Sequence, residues 1–107
     1  MTEKSIRRQK LEASLAADPA DTFLRYGLAL QCLREGDTEE GRERLVALIG
    51  EHPDDQIAAY QQLGQSYLEA GESERAAETL RLGIAKAQAR GDAHAAAEMQ
   101  GLVAMIG

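Results

Sequence analysis

The sequence predicts an all-α protein, with antiparallel helix pairs stacked as a short α-solenoid of about six helices. Three observations carry that prediction. Helix-favouring residues dominate, with 19 Ala and 13 Leu against 2 Val and 5 Ile in a chain of 107 residues, which leaves little material suited to strands. Apolar residues recur at three- and four-residue intervals, in segments separated by Gly, Pro or Asp. The chain also matches itself at a shift of 35 residues: Leu28 meets Leu63, Leu33 meets Leu68, Gly36 meets Gly71, Leu45 meets Leu80 and Ile49 meets Ile84. At a shift of 34, Leu11, Leu15, Pro19 and Asp21 meet Leu45, Ile49, Pro53 and Asp55. Helix pairs with this period stack side by side, because one pair cannot cover its own apolar face.

The first helix is expected over about Lys4 to Ala17, with Leu11 and Leu15 on one face, stopping at Asp18-Pro19. Asp18 is expected to N-cap the second, with Pro19 at its first position and Asp21 in its first turn. That helix runs to about Arg34, where Gly36 ends it. Asp37-x-x-Glu40 then reads as a capping-box variant opening the third helix, which His52-Pro53 closes. The fourth spans about Asp54 to Ala70 and the fifth about Ser73 to Ala89, with Gly71 between them. After Gly91-Asp92 a last helix carries Ala95, Met99, Leu102 and Ile106 as one apolar stripe. The single domain 1–107 thus divides into a half repeat at about 4–19, repeats at about 20–53 and 54–89, and a C-terminal capping helix at about 92–106.

The second unit reads Tyr60-x2-Leu63-Gly64-x2-Tyr67, then Ala76-x3-Leu80 and Gly83. The first reads Arg25-x2-Leu28-Ala29-x2-Cys32, then Gly41-x3-Leu45, Leu48 and Pro53. This pattern, from about Leu11 to Ala89, resembles the tetratricopeptide repeat, whose unit follows W-x2-L-G-x2-Y, A-x3-F and a closing P. The chain departs from it in having no Trp, in Arg25 at an aromatic position, and in Gln88 where the second closing proline would fall. Ala29, Gly41, Gly64 and Ala76 are small where paired helices must approach closely, and the large residues of the pattern fill the layer between them.

The second helix carries another apolar stripe, Phe23, Tyr26, Leu30 and Leu33, with Arg34 at its end. The resemblance implies that these offsets line a groove that receives a peptide or helix of another protein. The shifted equivalents are Ala58, Gln61, Gln65, Leu68 and Glu69, so the groove is expected to be apolar at one end and amide-lined at the other. A patch of large apolar side chains is rarely left in water without use. The expected role is a non-enzymatic adaptor binding an as yet unspecified protein, with no cofactor. Homodimerisation through the last helix, at Met99, Leu102, Val103 and Ile106, is the structural alternative. Binding of a small apolar ligand lacks the convergent polar groups that would orient it. The carboxylate clamp of some repeat proteins of this kind is not expected, since the chain contains no Asn and Lys4, Lys10 and Lys86 lie off the inner helices.

Chemistry has little footing. Cys32 sits within an apolar layer, where thiols are buried and inert. His94 and Glu98 have a four-residue spacing that offers only two metal ligands, and His52 lies at a helix junction. Arg90-Gly91-Asp92 reads as a helix end and the next cap rather than a recognition triplet. There is no Gly-rich phosphate loop, CxxC pair or GxSxG elbow.

The net charge of −6 resides entirely in residues 35–55, with eight acidic and two basic side chains, which are expected to form a wet, convex helix face. An acidic chain with three lysines is poorly suited to nucleic acid, and the cluster Arg7, Arg8 and Lys10 is expected to be a solvated face. No secretory signal and no stretch of membrane-spanning length is readable, so a soluble cytoplasmic protein is expected, its lone cysteine reduced.

Overall fold

The computed structural model describes residues 4–106. Among them the chain forms six α-helices and no strand: α1 (Ile6–Ala17), α2 (Thr22–Arg34), α3 (Thr38–Glu51), α4 (Ile57–Glu69), α5 (Ser73–Ala89) and α6 (Ala93–Ala104). They fall into two compact units, Met1–Leu48 and Ile49–Gly107, with the boundary inside α3.

Helix ends follow local chemistry. Gly36, Gly71 and Gly91 hold φ of +83°, +77° and +73°, a left-handed conformation that glycine adopts without steric cost. Each closes its helix with the same pair of hydrogen bonds. After α2, Asp37 N–H donates to the Cys32 carbonyl at 2.9 Å and Gly36 N–H to Leu33 at 3.2 Å. After α4, Glu72 N–H reaches Tyr67 at 2.9 Å, and after α5, Asp92 N–H reaches Ala87 at 2.8 Å. These are Schellman closures.

Two predicted caps differ from what forms. Asp18 does not open α2. Its N–H donates to the carbonyls of Ser14 and Leu15, so it ends α1, and Pro19 and Ala20 make a turn. Asp21 is the N-cap instead, its Oδ1 accepting from Leu24 N–H at 2.9 Å. The reciprocal half of the predicted box at Asp37 is also diverted. Asp37 N–H is spent on Cys32, while the Glu40 carboxylate faces Arg8 and Arg44. α4 begins at Ile57, later than expected, because Pro53 to Gln56 are held as a loop: Tyr60 Oη donates to the Pro53 carbonyl at 2.7 Å, and Arg90 reaches the carbonyls of Asp54 and Asp55.

In the second unit, α5 packs against both α4 and α6. The core is Ile57, Tyr60, Leu80, Ala87, Ala96 and Met99, flanked by the half-buried Ile49, Leu68, Ile84, Leu102 and Val103. Close approach requires glycine at two points. A Cβ on Gly64 would lie 2.6 Å from the Leu80 side chain, and one on Gly83 would lie 2.6 Å from both Met99 Sδ and Tyr60 Cβ. In the first unit, Gly41 of α3 plays the same part, with Leu33 lying over it and the Ala29 carbonyl 3.1 Å from where a Cβ would sit.

Candidate functional site

α2 carries apolar residues on two faces because its sequence has them at nearly every turn. Leu28, Ala29 and Cys32 are buried, as the repeat pattern requires. On the other face Tyr26 and Leu30 are half-buried, Arg34 is exposed and Phe23 is 81% exposed. Leu33 belongs partly to the interior, since its side chain lies on α3 over Gly41. An aromatic ring so open on a well-formed helix, beside two half-buried apolar neighbours, is a surface with more apolar area than folding of its own unit uses.

The corresponding positions of α4 are engaged differently. Gln61 Nε2 donates to Glu98 Oε2 of α6 at 2.9 Å, and Leu68 packs against the core of the second unit, with Gln65 half-buried between them. α6 therefore takes up part of the amide-lined surface within its own unit. Its stripe turns inward: Met99 is fully buried against Gly83, and Leu102 and Val103 pack on the core. Ile106 is half-buried and borders a cleft along α5.

The strongest electrostatic feature is one that sequence reading missed. Arg8, expected in water with Arg7 and Lys10, is 2% exposed and is the one buried residue of α1. Its Nη2 lies 3.1 Å from Asp37 Oδ2 and 3.0 Å from Glu40 Oε1, and Nη1 lies 3.6 Å from Glu35 Oε1. Glu12 Oε2 is 3.9 Å from Nε. Ser5, the N-cap of α1, accepts from Arg8 N–H at 3.0 Å and donates its hydroxyl to Glu35. Burial works against the Arg8 charge, but the Asp37 hydrogen bond and the Glu40 and Asp37 charges outweigh it and hold the guanidinium protonated. Acidic residues expected on a wet face thus converge on a buried cation. The legible signal was register: Arg8, Leu11 and Leu15 step by three and four and share one helix face.

The carboxylates register this packing. Hydrogen bonds from Ser5 and Gln31 hold Glu35 below its ordinary pKa of 4.5, and the bond from Arg44 does the same for Glu40. A carboxylate whose pKa is lowered by folding contributes stability above its unfolded pKa, and that stability is lost as pH falls through the folded value. The attachment of α1 is therefore expected to hold at neutral pH and weaken below about pH 4.5. Amide exchange measured from pH 7 downward should show Ile6–Ala17 losing protection before α4 and α5; uniform loss would contradict this.

Cys32 is fully buried, with Sγ 3.4 Å from Glu40 Oε2. Burial, reinforced by Glu40, pushes its thiol up to about 11. The thiolate is thus suppressed at neutral pH. An aromatic disulfide reagent at pH 8 should label Cys32 only at the rate the protein opens, and at once in denaturant. Immediate labelling of folded protein would place the thiol elsewhere. His94 Nε2 and Glu98 Oε1 pair at 2.6 Å on the surface of α6. Among the described residues no group of three or more His, Cys, Asp or Glu is placed to hold a metal, and no helix is long and apolar enough to cross a membrane.

With the helix pairs, their glycine contacts and the α2 surface established, comparison with known proteins places the fold. Two sequence profiles described as tetratricopeptide repeat match residues 2–56 and 33–106. The chain belongs to the tetratricopeptide repeat family. The solution structure of a tetratricopeptide repeat domain protein from Salinibacter ruber is similar over 83% of this chain and 89% of that one, with 27% identity and a TM-score of 0.78. A solution structure of a Bordetella parapertussis protein is similar over 97% of this chain and 89% of its own, with 25% identity and a TM-score of 0.82. No curated protein matches the chain. Repeats of this family generally mediate protein–protein interaction and are typically non-enzymatic.

Proposed function

We propose that the chain is a non-enzymatic adaptor that docks a peptide or helix of another protein on the α2 face formed by Phe23, Tyr26 and Leu30, with Arg34 as a cation at its end. The observation that carries this reading is Phe23, 81% exposed on α2 while Leu28, Ala29 and Cys32 of the same helix are buried. An amphipathic partner helix suits such a face, since anchors at three- and four-residue spacing meet a matching stripe. Binding energy would concentrate on the aromatic residues, where desolvation is greatest. A net charge of −6 and the deep burial of Arg8 argue against phosphate backbones as ligands. A cytoplasmic location accords with a reduced lone cysteine.

Phe23→Asp tests the reading at little structural risk, because a surface substitution typically changes stability by about 0.5 kcal/mol or less. A photo-reactive phenylalanine analogue at position 23 identifies the bound protein in cells. With that protein purified, Phe23→Asp is expected to weaken binding at least about thirtyfold, as loss of a hot-spot residue does. Unchanged affinity, with helicity intact, would refute the α2 surface as the docking site.

A further inference from the structure

We propose that the exposed face of α5 is a self-association surface, on which a second copy of the chain lays its own α5 antiparallel about a twofold axis between Thr79 and Leu80. The buried residues of α5, which packs on α4 and α6, are Ala76, Ala77, Leu80, Gly83 and Ala87. What remains in water is a straight stripe: Glu74, Glu78, Arg81, Ala85 and Gln88, stepping by four, three, four and three residues. Leu82, 54% exposed, stands beside it. Along the same face runs a cleft of about 650 Å³ bordered by Ala77, Glu78, Arg81, Leu82 and Ile106.

The occupant is identified by the order of charges. When two copies of one helix lie antiparallel about a twofold axis, residues equidistant from the axis face each other across it, and every contact occurs twice. With the axis between Thr79 and Leu80, Glu78 faces the partner's Arg81, and Arg81 faces the partner's Glu78. Glu74 meets the partner's Ala85, a small residue that allows the backbones to approach. A parallel pairing would instead set Glu78 against Glu78 and Arg81 against Arg81, which repel. The Glu78–Arg81 step is thus complementary to its own reverse. Among the described residues Glu74, Glu78 and Arg81 make no ion pair within the chain, so their charges stay available for this one. Met99 of the last helix is buried within its own unit, and Ile106 at that helix's end borders the cleft.

Sedimentation equilibrium over micromolar to millimolar protein at low salt reads the association. The wild-type chain is expected to dimerise, and more weakly as salt rises. Glu78→Arg and Arg81→Glu alone each set like charges opposite one another twice and are expected to raise the dimer dissociation constant about tenfold or more. The double variant Glu78→Arg with Arg81→Glu is expected to restore dimerisation, because the swap leaves the twofold contact complementary. Circular dichroism establishes that each variant is folded; if a single swap is not, Leu82→Ser reads the same contact and is expected to weaken it. A wild-type monomer throughout the range, unchanged dimerisation in both single variants, or no restoration by the double variant each overturns the proposal. None of these results touches binding at Phe23, whose test uses a different helix.

Discussion

Arg8→Met is expected to detach α1 while leaving the second unit folded. Removing one partner from a buried ionic cluster costs more than the cluster's net worth, because the remaining charges lose compensation. Here the deletion leaves Glu35, Asp37 and Glu40 facing one another without their shared cation. Those carboxylates retain some contact with water, which reduces the usual penalty of about 3–5 kcal/mol to about 2–4 kcal/mol. α1 has little else to hold it, since Leu11 and Leu15 are only half-buried and no other residue of the helix is buried. Hydrogen exchange should show Ile6–Ala17 exposed in the variant, with α4 and α5 still protected. Adding Glu35→Gln and Glu40→Gln removes the repulsion and should return part of the lost stability. If α1 keeps its protection in Arg8→Met, the half-buried leucines hold it and the ionic cluster is incidental.

Gly83→Leu is expected to open the second unit. Even a single carbon at this site would meet Met99 Sδ and Tyr60 Cβ at 2.6 Å. Met99 can bend away, but the Tyr60 Cβ is fixed to the α4 backbone, so α4 and α5 must separate. Overpacking of a core typically costs about 1–3 kcal/mol, and a full leucine side chain at a three-helix contact should reach or exceed the upper end. The control is Gly101→Ala, on an exposed part of α6 where nothing lies within 4 Å of the new carbon. There the gain in helix propensity should stabilise the protein by up to about 1 kcal/mol. Thermal melts should therefore move in opposite directions for the two variants. A Gly83→Leu melt no lower than wild type would mean that the α4 and α5 backbones are not in close contact.

The helix breaks were legible because they depend on neighbours in the chain. Gly36, Gly71 and Gly91 end helices by backbone conformation alone, and the structure closes all three with the expected bonds. α5 has the boundaries its pattern predicts, Ser73 to Ala89, since both ends carry local signals. Asp18 and Asp21 show where this fails. Either could cap α2, and the choice depended on which residue was already spent in ending α1. The small positions Gly41 and Gly64 could be read as close contacts from spacing, but that Gly83 would receive both Tyr60 and Met99 required knowing where α6 lies.

The candidate surface was legible to a similar degree. Phe23, Tyr26 and Leu30 form a stripe in any straight helix, and the ring of Phe23 is open as that stripe suggests. Leu33, on the same stripe, is claimed by α3, and Gln61 by Glu98, because contact partners are set by packing rather than by period. What the amino-acid order settled by itself was the class of fold, the glycine-closed helix ends and the repeat, all consequences of short-range hydrogen bonding and apolar spacing. Tertiary structure alone decided that Arg8 would be buried and the stripe of α6 consumed. A cation leaves water only when carboxylates distant in the chain arrive to receive it, and an apolar stripe becomes core only when another helix comes to lie on it.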